Sequence, residues 1–244
     1  MAKNKLLRWS RIYVDGYNLS GDSRTISALD MTEGDVDVSG WSEIVRHHLR
    51  DYNMAVGILG YQAILNDTTA TGAFTVLKTP VSCDVAFLIG SGAAPVAGDQ
   101  AYLMKAEQLM DNASFDSKLG VFQADFKPLT AWAYKPMGVV LSPETSVADT
   151  TEGASVNNGA GTTNGWIMQM HITATSSGDY AFKIEQSANN VDWTDLSAGT
   201  FTVDGSAIAS ETVAAATGTV AQYIRLNSAK TSGACTPVCV FSRN

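Results

Sequence analysis

Apolar and polar positions alternate most strictly in Tyr180-Ala-Phe-Lys-Ile-Glu-Gln186, where Tyr180, Phe182 and Ile184 share one face and Lys183 and Glu185 the other. That period of two predicts a strand covering a core on one side. Shorter runs, Trp166–Ile172, Thr200–Val203, Ala221–Leu226 and Pro237–Phe241, are separated by polar turns and predict an antiparallel β-sandwich, Ig-like or jelly-roll-like. Earlier in the chain, Asn53–Leu65 is apolar on both alternating faces and reads as a central strand. Ala70, Ala73, Phe74 and Leu77 fall at helical spacing before Pro80 and predict a short amphipathic helix. Val81–Ile89 and Lys118–Phe126 read as strands. The run Ala101–Met110 has helical propensity but lies between strand-like runs, and we read it as strand. Trp41–Leu49 fits a short helix or an ordered loop. The fold class expected is mainly β with one short helix.

Between Ile12 and Asp22 an apolar strand breaks at Asp15-Gly16, two residues that tolerate positive φ, and breaks again at Ser20-Gly21-Asp22. The segment reads as a β-edge followed by an ordered loop, with no reactive side chain presented. After Met137–Leu141 the composition turns polar from Glu144 through Gly165, which predicts three parts: residues 1–143, a linker or long loop 144–165, and residues 166–244. No fixed-period repeat is visible.

Composition adds exclusions. The 244 residues are 45% apolar, enough for one large or two modest cores. The formal charge is −8; residues 144–244 hold 4 Lys/Arg against 9 Asp/Glu, and the cations are scattered. No basic stripe exists to neutralise phosphates, so tight nucleic-acid binding is disfavoured. Cys235 and Cys239, four apart in a strand, lie roughly 13 Å from each other, too far for a bridge, and Cys83 has no obvious partner. Structural thiols are expected. The N-terminus lacks the apolar region of a secretory signal, and no apolar run is long enough to span a bilayer, so the product is expected in the cytosol of its host until used.

Candidate chemistry is sparse. His47 and His48 are adjacent, so on a helix they diverge by about 100° and share no ligand; His171 reads as the polar face of its strand beside Gln169 and Thr173. No nucleophile elbow or phosphate-cradling loop appears. The acidic run Asp30, Glu33, Asp35 and Asp37 has the oxygen ligands for a hard cation but no EF-hand spacing, and a solvated loop is the favoured reading. Asn189–Asp195 reads as a hairpin turn with Trp193 packing down, against a calcium or sugar site. Trp166, Tyr180, Trp193 and Tyr223 form either core or a sugar-stacking platform. No catalytic residue, metal ligand or cofactor is assigned.

Tyr13-Val-Asp-Gly-Tyr-Asn-Leu-Ser-Gly21 resembles the opening of major tail tube proteins of long-tailed, non-contractile bacteriophages, and the acidic stretch, the strand at 53–65 and the helix near 68–78 follow in the family's order. Phe182–Leu196, Ala221–Leu226 and Val240–Arg243 are similar to the module that closes many such proteins. Trp41–Leu49 departs from the pattern associated with its position. The resemblance implies a tail-tube-like β-sandwich or barrel over 1–143 plus the C-terminal sandwich. It also implies hexameric rings that stack into a tube, around a tape-measure protein in the lumen and between tail terminator and distal tail proteins, with DNA in transit without specific binding and no membrane insertion by this chain. Arg8, Arg11, Tyr13, Asp15, Tyr17, Arg24, Asp30, Glu33, Asp35 and Asp37 are the candidate contacts between subunits. The competing readings are a capsid decoration or adhesin-like protein with a carbohydrate-binding C-terminal module, and, less favoured, a carbohydrate-active enzyme, for which no carboxylate pair can be placed across a cleft.

Overall fold

The computed structural model describes residues 9–27, 34–37, 48–51, 59–65, 69–79, 81–116, 119–129, 137–175, 179–203 and 207–243. In chain order the elements are β1 (Trp9–Val14), β2 (Tyr17–Asn18), β3 (Ser23–Ser27), β4 (Gly34–Asp37), β5 (His48–Asp51), β6 (Leu59–Ile64), α1 (Ala73–Leu77), β7 (Ser82–Gly90), β8 (Gln100–Asp116) and β9 (Leu119–Pro128). There follow β10 (Met137–Pro143), β11 (Thr151–Glu152), β12 (Val156–Asn157), β13 (Trp166–Thr175), β14 (Tyr180–Ser187), β15 (Thr194–Val203), β16 (Ala209–Ala215), β17 (Tyr223–Lys230) and β18 (Cys235–Arg243). The protein is mainly β.

Two compact units divide the chain: Met1–Gly21 with Cys83–Lys105 and Tyr134–Asn244, and Asp22–Ser82 with Ala106–Ala133. These units do not follow a cut at residue 143. β10 pairs with β18, Val140 opposite Val240, so the polar stretch after Pro143 joins strands of one body.

The first unit is a sandwich. One sheet runs β16-β13-β18-β10-β8-β7-β1-β2, and the second runs β11-β17-β14-β15, with β12 also on β17. Period-two alternation sends Trp166, Met168, Met170 and Ile172 of β13 to meet Tyr180, Phe182, Ile184, Ile224 and Leu226 from the facing sheet. Trp166 stacks on Phe241 with ring centroids 6.0 Å apart. Cys83, Cys235 and Cys239 are buried free thiols, the last two on the same strand. β16 carries an Ala/Ser/Thr-rich sequence with little alternation, and nothing in the apolar pattern announces it.

In the second unit β6 lies between β3 and β9, and β9 continues to the later part of β8, which settles the Ala101–Met110 ambiguity as strand. The helix is shorter than its spacing predicts because Gly72 is extended (φ −68°, ψ 148°) and starts it there. Gly72 offers no side-chain cap, so the Ala73 N–H donates to Asp22 Oδ2 at 2.8 Å instead. Leu77 is buried, and Phe74 meets Phe122 edge to face at 5.6 Å. Residues 53–58 of the expected central strand and 41–47 of the expected helix or loop lie outside the described residues; His48 and Leu49 are strand, paired with Asp37 and Val36.

Candidate functional site

The stretch from Tyr13 to Gly21 forms a tight hairpin. Val14 pairs with Tyr17, leaving Asp15 (φ 48°) and Gly16 (φ 87°) as a two-residue loop with positive φ at both positions, the geometry that matches the twist of the flanking strands. Only glycine fits second, since a Cβ there would stand 2.7 Å from the Ala209 carbonyl oxygen and from Ile208 Cγ2. Asp15 is fixed by its neighbour across the sheet: its N–H donates to the Asp84 carbonyl at 3.0 Å, and its Oδ1 accepts the Asp84 N–H at 2.8 Å. Ser20 Oγ accepts the Ile12 N–H at 3.0 Å, and Asn18 Oδ1 accepts the Ser20 N–H at 3.0 Å.

Beneath the hairpin lies a polar seat inside the first unit. The Tyr13 hydroxyl donates to Glu144 Oε2 at 2.8 Å, and Asn18 Nδ2 donates to both Glu144 oxygens at 2.7 and 2.9 Å. Asp84 accepts from Thr212 Oγ1 at 2.7 Å and from Ser210 Oγ at 3.0 Å; the same Ser210 hydroxyl lies 3.2 Å from Asp15 Oδ1 and is shared between the two carboxylates. His171 stands on the polar face of β13 with Gln169, as its alternation predicts, but that face is fully buried. Its Nδ1 accepts the Gly16 N–H at 3.1 Å, which assigns the ring hydrogen to Nε2, 3.1 Å from Gln169 Oε1. Gln169 Nε2 in turn donates to the Met104 carbonyl at 3.0 Å and Thr212 Oγ1 at 3.1 Å.

The electrostatics follow from burial. Loss of water pushes the His171 imidazole down to about 3, so it is neutral at physiological pH. Burial also raises the Asp15 carboxyl above the usual range, and it raises the Tyr13 hydroxyl, with the Glu144 charge adding to the rise. Cys83 is pushed up to about 12 by burial and by the charges of Asp15 and Asp84.

The structure brings together some of the residues chosen from sequence. Tyr13 and Asp15 join the seat, and Tyr13 is 0% exposed, so its side chain serves its own chain and is not a surface contact, the position expected for it. Arg11 and Tyr17 are half-buried in the same unit; Arg24, exposed, belongs to the other. Asp35 and Asp37 sit on β4 opposite Arg50 and His48 in register, while Arg8, Asp30 and Glu33 lie outside the described residues. Sequence reasoning missed Asp84, Glu144, Gln169, Ser210 and Thr212. Asp84 alone left a signal, as a lone acid inside the apolar run Val81–Ile89.

The C-terminal candidates resolve differently. Asn190 (φ 63°) turns the β14–β15 hairpin, and Asn189 Oδ1 accepts the N–H groups of Val191 and Asp192, each at 2.9 Å. Trp166 and Tyr180 are each 1% exposed and belong to the core, which removes two members of the proposed sugar platform. Trp193 does not pack down: it lies under the Arg225 guanidinium, 4.3 Å from the ring centroid. Arg225 also pairs with Glu185 and Glu152, each at 2.7 Å. Burial alone would raise the Glu185 carboxyl, but bonds from Lys183, Arg225 and Asn227 outweigh it and hold the group below its usual range. A cavity of about 400 Å³ opens beside Leu141, Phe182 and Leu226, with Pro95, Val96 and Ala97 also lining it. Among the described residues no three His, Cys, Asp or Glu side chains converge as a metal set, and no helix is long and apolar enough to cross a membrane.

Comparison with protein-family models gives no match, and comparison with curated proteins gives none. Among solved structures the chain is similar to the SPP1 Dit protein, described as a paradigm of the hub adsorption apparatus in phages that infect Gram-positive bacteria. The two are 12% identical with a TM-score of 0.34, over 97% of this chain and 100% of that one.

Proposed function

We propose that this protein is a structural subunit of a bacteriophage tail, one that assembles into hexameric rings stacked into the tube through which DNA passes. The observation that carries the proposal is that the stretch bearing the family resemblance is architectural. Tyr13, Asp15, Asn18 and Ser20 all spend their polar groups inside their own unit, so the motif builds a subunit and presents no reactive group.

Two further properties support assembly. Among the described residues no strand pairs with the outer edge of β15 or of β16. Open edges carry unpaired N–H and C=O groups, which a neighbouring copy can satisfy, and a closed ring satisfies every edge at once. The net charge of −8 opposes adhesion of a phosphate backbone to the subunit. On this proposal the partners are other copies of the chain, a tape-measure protein in the lumen, and tail terminator and distal tail proteins at the tube ends. The site of action is the virion tail, after assembly in the host cytoplasm.

Negative-stain imaging of the purified chain tests it. Stacked rings of constant diameter are expected; monomers under every condition of concentration and salt would reject the proposal. Exposed Arg24 remains a candidate contact, and Arg24→Glu is expected to lower tube yield without changing the circular dichroism of the subunit.

A further inference from the structure

We infer that the Asp15–Gly16 hairpin is a proton-operated latch, which leaves its seat on β13 and β16 when His171 takes up a proton while the sandwich stays folded. The geometry supplies the mechanism. The neutral ring has one acceptor and one donor, and both are used: Nδ1 receives the Gly16 N–H and Nε2–H faces Gln169 Oε1. Gln169 cannot flip to help, because its Nε2 is already committed to the Met104 carbonyl and Thr212. A second proton has only Nδ1 to occupy. There it would point at the Gly16 N–H, donor against donor, inside a site from which water is excluded.

The groups around the ring do not relieve this. Tyr13 from β1 lies with its ring centroid 6.1 Å from His171, and its hydroxyl is spent on Glu144. Asp15 of the turn and Asp84 of β7 are bonded to each other's backbone and to Ser210 and Thr212. Lys105 of β8 acts on Asp15 and lowers it, Arg11 acts on Tyr13, and Glu211 of β16 is exposed. The partners of His171 in register on the two flanking strands are Val238 and Ser210, neither of which carries a charge. The escape is to move the hairpin out: the turn is two residues long and, among the described residues, β2 pairs with β1 alone, so what release gives up is the set of bonds to Glu144 and Asp84.

The sign is fixed by the two states. Seated His171 resists a proton down to about pH 3, whereas a freed imidazole accepts one near its ordinary 6.5, so each unit of falling pH favours release tenfold. Asp15 acts in the opposite sense: its seated carboxyl is raised, so it takes a proton more readily when seated and resists release toward the acid end. Release therefore begins as pH falls through 6.5 and approaches the full tenfold per unit below about 5.5, until Asp15 opposes it.

Hydrogen–deuterium exchange of the full chain, corrected for intrinsic rates, tests the latch. Amides in 12–20 should lose up to about fiftyfold protection between pH 6.5 and 4.5, while amides in 180–187 keep theirs. His171→Gln supplies an acceptor for Gly16 that does not titrate, and should flatten the profile. Unchanged protection of 12–20 in the wild type, an equal loss in 180–187, or an undiminished loss in H171Q would each overturn the latch. Should H171Q fail to fold, the imidazole resonance of wild-type His171 decides the matter: titration together with loss of protection supports release, and titration with the hairpin still protected refutes it.

Discussion

Gly16 is where a single atom has the largest effect on the hairpin. Its φ of 87° costs an L-residue about 1–2 kcal/mol, and an added methyl would overlap the Ala209 carbonyl. Gly16→Ala is therefore expected to lower unfolding free energy by at least about 2 kcal/mol in urea titration. The thiols give a second check at this scale. Cys83 and Cys235 are raised to about 12 and 11, and Cys239 is raised as well, all by burial, so almost no thiolate is present at pH 8. A maleimide should leave the native protein unlabelled and add three groups after denaturation, as read by intact mass.

Among the elements, the outer face of β14 and β17 is held by two cations, Arg225 and Lys183. Arg225 neutralises Glu185, whose side chain is 9% exposed, and stacks on Trp193. Breaking a buried pair leaves a carboxylate with fewer partners, a cost of about 2 kcal/mol here because Lys183 and Asn227 remain bonded to it. Arg225→Ala should show that loss together with a change in Trp193 fluorescence. The face itself was legible: alternation in Tyr180–Gln186 placed Phe182 on the core face and Lys183 and Glu185 on the other, as found, although Glu185 is buried there among its ion-pair partners. The same rule put His171 on the polar face with Gln169 but did not foresee its burial, because a period of two says which residues share a face and not whether water reaches it. Gln169 and His171 share a face that the β1–β2 hairpin covers, and the covering strands are more than one hundred positions away. Glu144 was hidden for a related reason: it sits in a polar run that reads as linker, yet turns at φ 52° to meet Tyr13 and Asn18. Strand β16 was missed because its Ala and Thr positions carry almost no periodic contrast.

For the whole molecule, the informative fact is that the last strand lies in the interior of a sheet. β18 sits between β13 and β10, so a fragment of residues 1–143 would expose the edge of β10 and keep only Leu141 of the buried residues in the sandwich core. That fragment is expected to lack the cooperative thermal unfolding of the full chain in calorimetry. A lesion confined to the surface should act otherwise: Ala214→Lys on the exposed edge of β16 should keep the melting temperature and abolish rings, if that edge joins copies.

The position of β18 also sets a clock. Val140 emerges from the ribosome one hundred residues before Val240, its partner, and Tyr13 emerges before Glu144 by a longer interval still. Pairings so distant in sequence form late, because the intervening loop must close before any contact rewards it. A nascent chain therefore holds its hairpin and β10 without their partners through most of synthesis, and its first sheet can close only once β18 is released. Under the proposed ring assembly, that delay would keep polysomes carrying many copies at close quarters from polymerising unfinished chains.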